Sequence, residues 1–130
     1  MVDKLGDISV FVLSEELSNF LWDIIKQWEY FDKDTIGKQL IRAADSISAN
    51  IAECYGRYHY KDKQKFGYYA RGSFEETKYC LRKCGTRKLL TTDQSRRINL
   101  YAEKIDPKLN ALINTFKYPG FRNKPPIPNS

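Results

Sequence analysis

The stretch from Gln39 to Arg57, QLIRAADSISANIAECYGR, constrains the fold more than any other part of the chain. Ile36, Leu40, Ala43/Ala44, Ile47 and Ile51 recur at helical spacing and define a core face. Ser46, Ser48, Ala49 and Ala52 put small side chains on the remaining faces, so no wide charged face is left. A helix of that kind is usually covered on more than one side. The pattern therefore predicts a helix at the centre of a bundle or between two subunits.

Three further amphipathic segments flank it, and no strand alternation of useful length occurs. The first runs from Val10 to Trp28, with Leu13, Leu17, Phe20/Leu21, Ile24 and Trp28 as its apolar stripe. Asp34, in the linker YFDKDT, is the expected N-cap of the second helix, which starts near Thr35 and stops at Gly56. The aromatic and basic patch RYHYKDKQK leads into a third helix carrying Phe66, Tyr69/Ala70, Ser73/Phe74, Cys80/Leu81 and Cys84 on one face, with Gly85 as its expected C-cap. Gly72 in the middle of that helix lowers its propensity, which predicts close approach of another helix. Thr91, Thr92 and Asp93 open a fourth helix with Ile98, Tyr101, Ile105, Leu109, Leu112 and Phe116 as its stripe; Pro107 is expected to bend or interrupt it. Four amphipathic helices on short loops predict an all-α, up-down-up-down four-helix bundle over residues 1–116. Four of the five prolines lie in the last 14 residues, so residues 117–130 are expected to form a basic, proline-rich flexible tail.

Charge is unevenly spread. Residues 1–32 carry 2 basic and 7 acidic residues, whereas residues 33–88 carry 13 basic and 6 acidic ones, and the whole chain has a formal charge of +6. Such a surplus suits an anionic partner such as nucleic acid. Lys61, Lys63, Lys65, Arg71, Lys78, Arg82, Lys83, Arg87 and Lys88 lie along or beside the third helix, with Tyr55, Tyr58, Tyr60 and Tyr68 interleaved near its start. Lysine and arginine contact phosphate, and aromatic rings stack on unpaired bases; the alternative is a solvated face with tyrosines packed on lysine stems. Within the second helix, Arg42, Asn50, Glu53 and Arg57 form either an anion site or a buried hydrogen-bonded network that fixes register, and their i,i+3 and i,i+4 spacing favours the network.

Little in the chain suits catalysis. It has one histidine, His59, and no phosphate-binding glycine loop, His-Glu-x-x-His or Cys-x-x-Cys motif, so no enzyme, cofactor or metal site is expected. Cys80 and Cys84 sit i,i+4 on an apolar face, as buried free thiols do, and Cys54 stands near a helix end. No signal-peptide pattern or membrane-length apolar run appears, and a cytoplasmic protein is the expectation.

The segments QLIRAADSISANIAE, Gly56-Arg57 and ARGSFEE (Ala70 to Glu76) carry a resemblance that extends from Val10 to Phe116. The sequence resembles the four-helix bundle proteins encoded in intervening sequences of bacterial 23S ribosomal RNA genes, a family that includes the accessory variability determinant proteins of diversity-generating retroelements. Arg42, Ala43, Ser46, Ile47, Asn50, Ile51, Ala52, Glu53, Gly56, Arg57, Gly72, Ser73 and Glu76 match the pattern. The resemblance implies an antiparallel bundle assembled as a homopentameric ring with a basic surface. For the retroelement members it further implies binding to a reverse transcriptase and to RNA or DNA. Cys54 departs from the family's usual glycine, and YFDKDT lacks a Phe-Pro element. The resulting expectation is a non-enzymatic nucleic-acid-binding accessory of a reverse transcriptase. The alternative is a ribosomal-RNA-encoded bundle acting as a structural or protein-interaction subunit.

Overall fold

The apolar stripes turn inward along four helices. The computed structural model describes residues 8–116, and among them there is no strand. Helix α1 is Ser9–Ile25. Helix α2 is a continuous rod of three pieces: Tyr30–Asp32, a π-helical turn at Lys33–Gly37, and Lys38–Gly56. Helix α3 is Tyr60–Thr86 and helix α4 is Thr92–Thr115. Each helix packs on its neighbours in sequence and α4 closes back onto α1, while the diagonal pairs barely touch. The result is a four-helix bundle. The proposed tail at 117–130 lies outside the described residues.

The core is where the spacing puts it. Leu17 and Leu21 of α1, Leu40, Ala44, Ile47 and Ile51 of α2, Phe74 of α3, and Ile105 and Leu109 of α4 are all fully or almost fully buried. Buried hydroxyls are satisfied locally: Ser14 Oγ donates to the Val10 carbonyl at 2.7 Å and Thr77 Oγ1 to the Ser73 carbonyl at 2.7 Å. Among the described residues no buried side-chain nitrogen or oxygen lacks a partner.

Helix boundaries depart from the sequence expectation at four places. Helix α1 ends at Ile25, three residues early, because its last turn tightens: Gln27 and Trp28 donate to the Ile24 and Ile25 carbonyls at 3.1 and 3.0 Å. Asp34 is not an N-cap. The α2 rod has already begun at Tyr30, and Asp34 sits inside the π turn, paired with Lys38 at 3.4 Å. Gly37 is what the turn requires there, since a Cβ would lie 2.8 Å from Ile25 Cγ2 and 3.1 Å from the Asp32 carbonyl oxygen. The patch RYHYKDKQK is mostly helical, because α3 starts at Tyr60 rather than after it.

Gly85 is not the C-cap either. The left-handed residue is Lys88, with φ 60°; the Leu89 N–H reaches the Cys84 carbonyl at 2.9 Å and the Lys88 N–H the Gly85 carbonyl at 3.1 Å, a Schellman ending. Helix α4 opens on the expected threonine. Thr91 Oγ1 accepts from the Gln94 N–H at 3.1 Å and Gln94 Oε1 accepts from the Thr91 N–H at 2.9 Å, a reciprocal capping box. Pro107 does not interrupt α4, which runs through it.

The α2 stripe read as over-covered is partly open in the single chain. Arg42, Asp45, Ala49 and Glu53 are exposed, while Leu40, Ala44, Ile47 and Ile51 are buried. Gly72 meets no close helix: a Cβ there would find nothing within 4 Å. The intramolecular reason for that glycine is therefore absent.

Candidate nucleic-acid interface

Helix α3 is 27 residues long, about 40 Å at 1.5 Å per residue; it carries seven of the nine candidate cations, and Arg87 and Lys88 follow its last residue. The nine do not form one patch. Lys61 and Lys65 are exposed at its start, and Arg82, Arg87 and Lys88 are exposed at its end. Lys83, half-buried, holds its Nζ 5.5 Å from the Tyr79 ring centre. Arg82, Lys83, Arg87 and Lys88 have no carboxylate partner within ion-pair distance among the described residues, so the end of α3 carries four cations outside any ion pair.

The cations between these ends are engaged within the fold. Arg71 is the clearest case. Its side chain is only 20% exposed, and it clamps α3 to α4. Nη1 donates to Asp106 Oδ1 at 2.6 Å, and Nη2 to the Asp106 carbonyl at 3.1 Å and to Asn110 Oδ1. Glu75 adds a longer contact to Nη1 at 3.4 Å. Charge-assisted bonds of this kind hold two helices in register beside Pro107 and leave little of Arg71 for phosphate. Lys78 pairs with Glu75 at 3.1 Å and lies 4.8 Å from the centre of the Phe74 ring. Lys63 is a cap: its Nζ donates to the Tyr55 carbonyl at 3.3 Å and the Cys54 carbonyl at 3.5 Å, where the negative end of the α2 dipole attracts a cation.

The tyrosines divide in the same way. Tyr55 and Tyr60 stand edge-on to Phe116, at 5.2 and 6.2 Å between ring centres, and help close that end of the bundle. Tyr58, Tyr68 and Tyr79 are exposed and available for stacking. Tyr79 was not among the tyrosines singled out in the sequence, nor were Arg97 and Lys104 of α4, which line the next groove around the bundle with Tyr101. Their signal is the i,i+3/i+4 run of Arg97, Tyr101, Lys104 and Lys108.

The polar quartet of α2 is not one buried network. Glu53 and Arg57 form an exposed intrahelical pair at 2.7 Å, and the Arg57 guanidinium lies 4.5 Å from the Phe66 ring centre. Asn50 does tie helices together, with Nδ2 donating to the Ser46 carbonyl at 2.9 Å and to Ser73 Oγ at 3.4 Å. Arg42 is exposed and takes no part in either contact. Helical spacing brings such residues onto neighbouring faces, but burial needs a partner element over them, and α2 turns this side outward.

The opposite side of the bundle is acidic. Glu15 of α1 accepts from Ser48 Oγ at 3.1 Å and lies beside Asp45 of α2. Burial, and then the Glu15 charge, push the Asp45 carboxyl above its usual range, partly offset by a hydrogen bond with Ser18.

All three cysteines are buried free thiols. Cys54 Sγ donates to the Lys63 carbonyl at 3.0 Å. Burial pushes its thiol up to about 11, and burial raises Cys84 to about 11 as well. Burial disfavours the thiolate, the form that attacks or ligates a metal. Among the described residues no group of three or more His, Cys, Asp or Glu side chains could hold a metal ion, and no helix is long and apolar enough to cross a membrane.

No curated protein matches the chain. The family model described as 23S rRNA-intervening sequence protein matches residues 6–111, which takes in α1 to α3 and most of α4. With the four-helix architecture and the spacing of α2 already in place, that match over most of the length settles membership: the chain belongs to the 23S rRNA-intervening sequence protein family.

Proposed function

We propose that this protein is a non-enzymatic, cytoplasmic accessory subunit that binds RNA or DNA through the α3–α4 side of the bundle. The observation that carries the reading is the group Arg82, Lys83, Arg87 and Lys88, outside any ion pair among the described residues, set against the Glu15/Asp45 side of the same bundle. Phosphate contacts made this way need no sequence specificity and act by releasing counterions. The partner reverse transcriptase of a diversity-generating retroelement is carried over from the resemblance to the accessory variability determinant proteins.

The reading takes the bundle as antiparallel and repeated in a homopentameric ring. Paired contacts support the antiparallel course: Gly67 at the start of α3 faces Ile113 late in α4, and Arg71 faces Asp106 and Asn110. Two open features support a ring, namely the exposed Arg42–Ala49–Glu53 side of α2 and the unoccupied space over Gly72. Several copies multiply weak phosphate contacts through effective concentration.

Binding of a labelled RNA, followed by fluorescence anisotropy across a salt series, tests the reading. Affinity is expected to fall steeply with salt, and Arg82→Glu with Arg87→Glu to weaken it on the order of tenfold or more at low salt. Salt-insensitive binding, or none at low salt, overturns it. The second reading, a structural or protein-interaction subunit, rests on the same open α2 and Gly72 surfaces. It predicts that the charge-reversed variant loses a protein partner while RNA affinity stays near zero throughout.

A further inference from the structure

Between the end of α3 and the start of α4 lies a groove of about 310 Å³. Ile98 is its buried floor, and half-buried Leu81 and Leu90 are its aliphatic walls. Asn99 and Arg82, both exposed, stand among its lining residues together with Lys78. We infer that this groove receives one unpaired adenine base of a single-stranded nucleic acid; the inference rests on the nucleic-acid reading above.

Four considerations lead there. The volume is at the small end of ligand sites, about 300 Å³, which suits one ring system and no duplex. Bases in a duplex keep their faces stacked and cannot enter a groove between helices, whereas unpaired bases can be splayed out. Aliphatic walls with no aromatic ring provide a slot that does not stack every base alike, so selection falls to the polar group at the edge. That group is the Asn99 amide, whose donor and acceptor match the N6 and N7 edge of adenine.

The cations fit the same occupant. Arg82 has no carboxylate partner among the described residues, and Arg87 and Lys88 follow on the same end of α3. Phosphates flanking an inserted base would meet them. The other large groove is about 290 Å³ and is lined by Trp22, Tyr30 and Ile41. Two of its three lysines are paired, Lys26 with Asp23 at 3.1 Å and Lys38 with Asp34 at 3.4 Å, which leaves Lys33, and the Asp34 carboxylate itself lines that groove, whereas no carboxylate lines the α3–α4 groove. Aromatic rings alone would favour that groove for bases; electrostatics assigns them to the α3–α4 groove.

The test compares labelled oligoadenylate, oligouridylate and a duplex of equal length on the full chain, each as RNA and as DNA. Oligoadenylate is expected to bind about tenfold tighter than oligouridylate, and the duplex more weakly still. Asn99→Ala, on an exposed side chain, is expected to abolish the adenine preference while leaving the salt dependence intact. Ala102→Phe, which fills the groove from α4, is expected to do the same with helicity unchanged by circular dichroism. The RNA and DNA arms show whether a 2′-hydroxyl contributes. Equal affinity for all single strands, or a preference that survives both variants, overturns the groove assignment and leaves the nucleic-acid reading standing. Absence of binding by every oligonucleotide at low salt overturns both.

Discussion

Helix α3 has two seams, and they are built on different principles. Toward α2 it packs most closely of any helix pair, burying Ala70, Phe74, Thr77, Cys80 and Cys84 in the region of Ala44, Ile47 and Ile51. Small residues there let the helix axes approach, and among the described residues no buried side-chain nitrogen or oxygen lacks a partner. Toward α4 the contact is sparser. It consists of a polar clamp, Arg71 on Asp106 and Asn110, and beyond it an open groove edged by Lys78, Arg82 and Asn99. One seam supplies stability; the other holds register with directional bonds and leaves space. The same helix can thus anchor the fold and present a charged surface.

Removing the centre of the tight seam has the largest expected effect. Phe74→Ala, at 1% exposure, is expected to cost about 3–5 kcal/mol in urea unfolding, near the whole stability of a domain this size. A loss below about 1 kcal/mol would show that the α2–α3 seam is not the main source of stability. Arg71→Ala breaks the clamp instead, with an expected cost of about 2 kcal/mol, since Asp106 and Asn110 lose a charged donor. Backbone amide exchange around Asp106 is expected to rise while that of Ile47 and Ile51 is unchanged; equal change at both seams would erase the distinction.

Alkaline pH probes the tight seam without mutation. The Cys54 and Cys84 thiols titrate at about 11 when folded, against a reference value of 9.0. A raised folded value means that the stabilisation is complete below about pH 9 and is lost as pH rises toward 11, because the unfolded chain ionises first. The thermal midpoint is therefore expected to fall between pH 9 and 11, and to fall less in Cys54→Ala. A flat profile would mean that these thiols are open to water.

Gly72→Ala carries the smallest expected effect and the sharpest consequence for assembly. In the isolated bundle it is expected to stabilise α3 by about 1 kcal/mol, because the added methyl meets nothing. If copies of the chain approach over this position, the same methyl weakens assembly, which light scattering would register. Stabilisation with an unchanged oligomeric state would remove Gly72 from the interface.

Much of the fold was legible from spacing alone. The stripes Leu17–Leu21–Ile24, Leu40–Ala44–Ile47–Ile51 and Ile98–Ile105–Leu109 report a periodicity that neighbouring residues create together, and all of them are buried. The Thr91 cap and the Gly56 stop are likewise local. The Asp34 and Gly85 expectations failed because better local solutions existed: a π turn that seats Gly37 against Ile25, and a left-handed Lys88 that completes the Schellman bonds.

The candidate site was legible in composition but not in arrangement. Nine cations on or near one helix could be counted from the sequence, and their excess over carboxylates is a property of the chain. Which of them are free depends on partners distant in sequence. Arg71 is taken up by residues 35 and 39 positions away, and Lys63 by carbonyls at the end of the preceding helix. Hydrophobic periodicity repeats every turn and so survives in the one-dimensional chain, which is why the sequence by itself determined four helices and their inward faces. A groove, or an ion pair that joins two helices, exists only where the helices meet. The clamp at Arg71, the open space beside Arg82 and the acidic meeting of Glu15 with Asp45 were therefore decided by the tertiary structure alone.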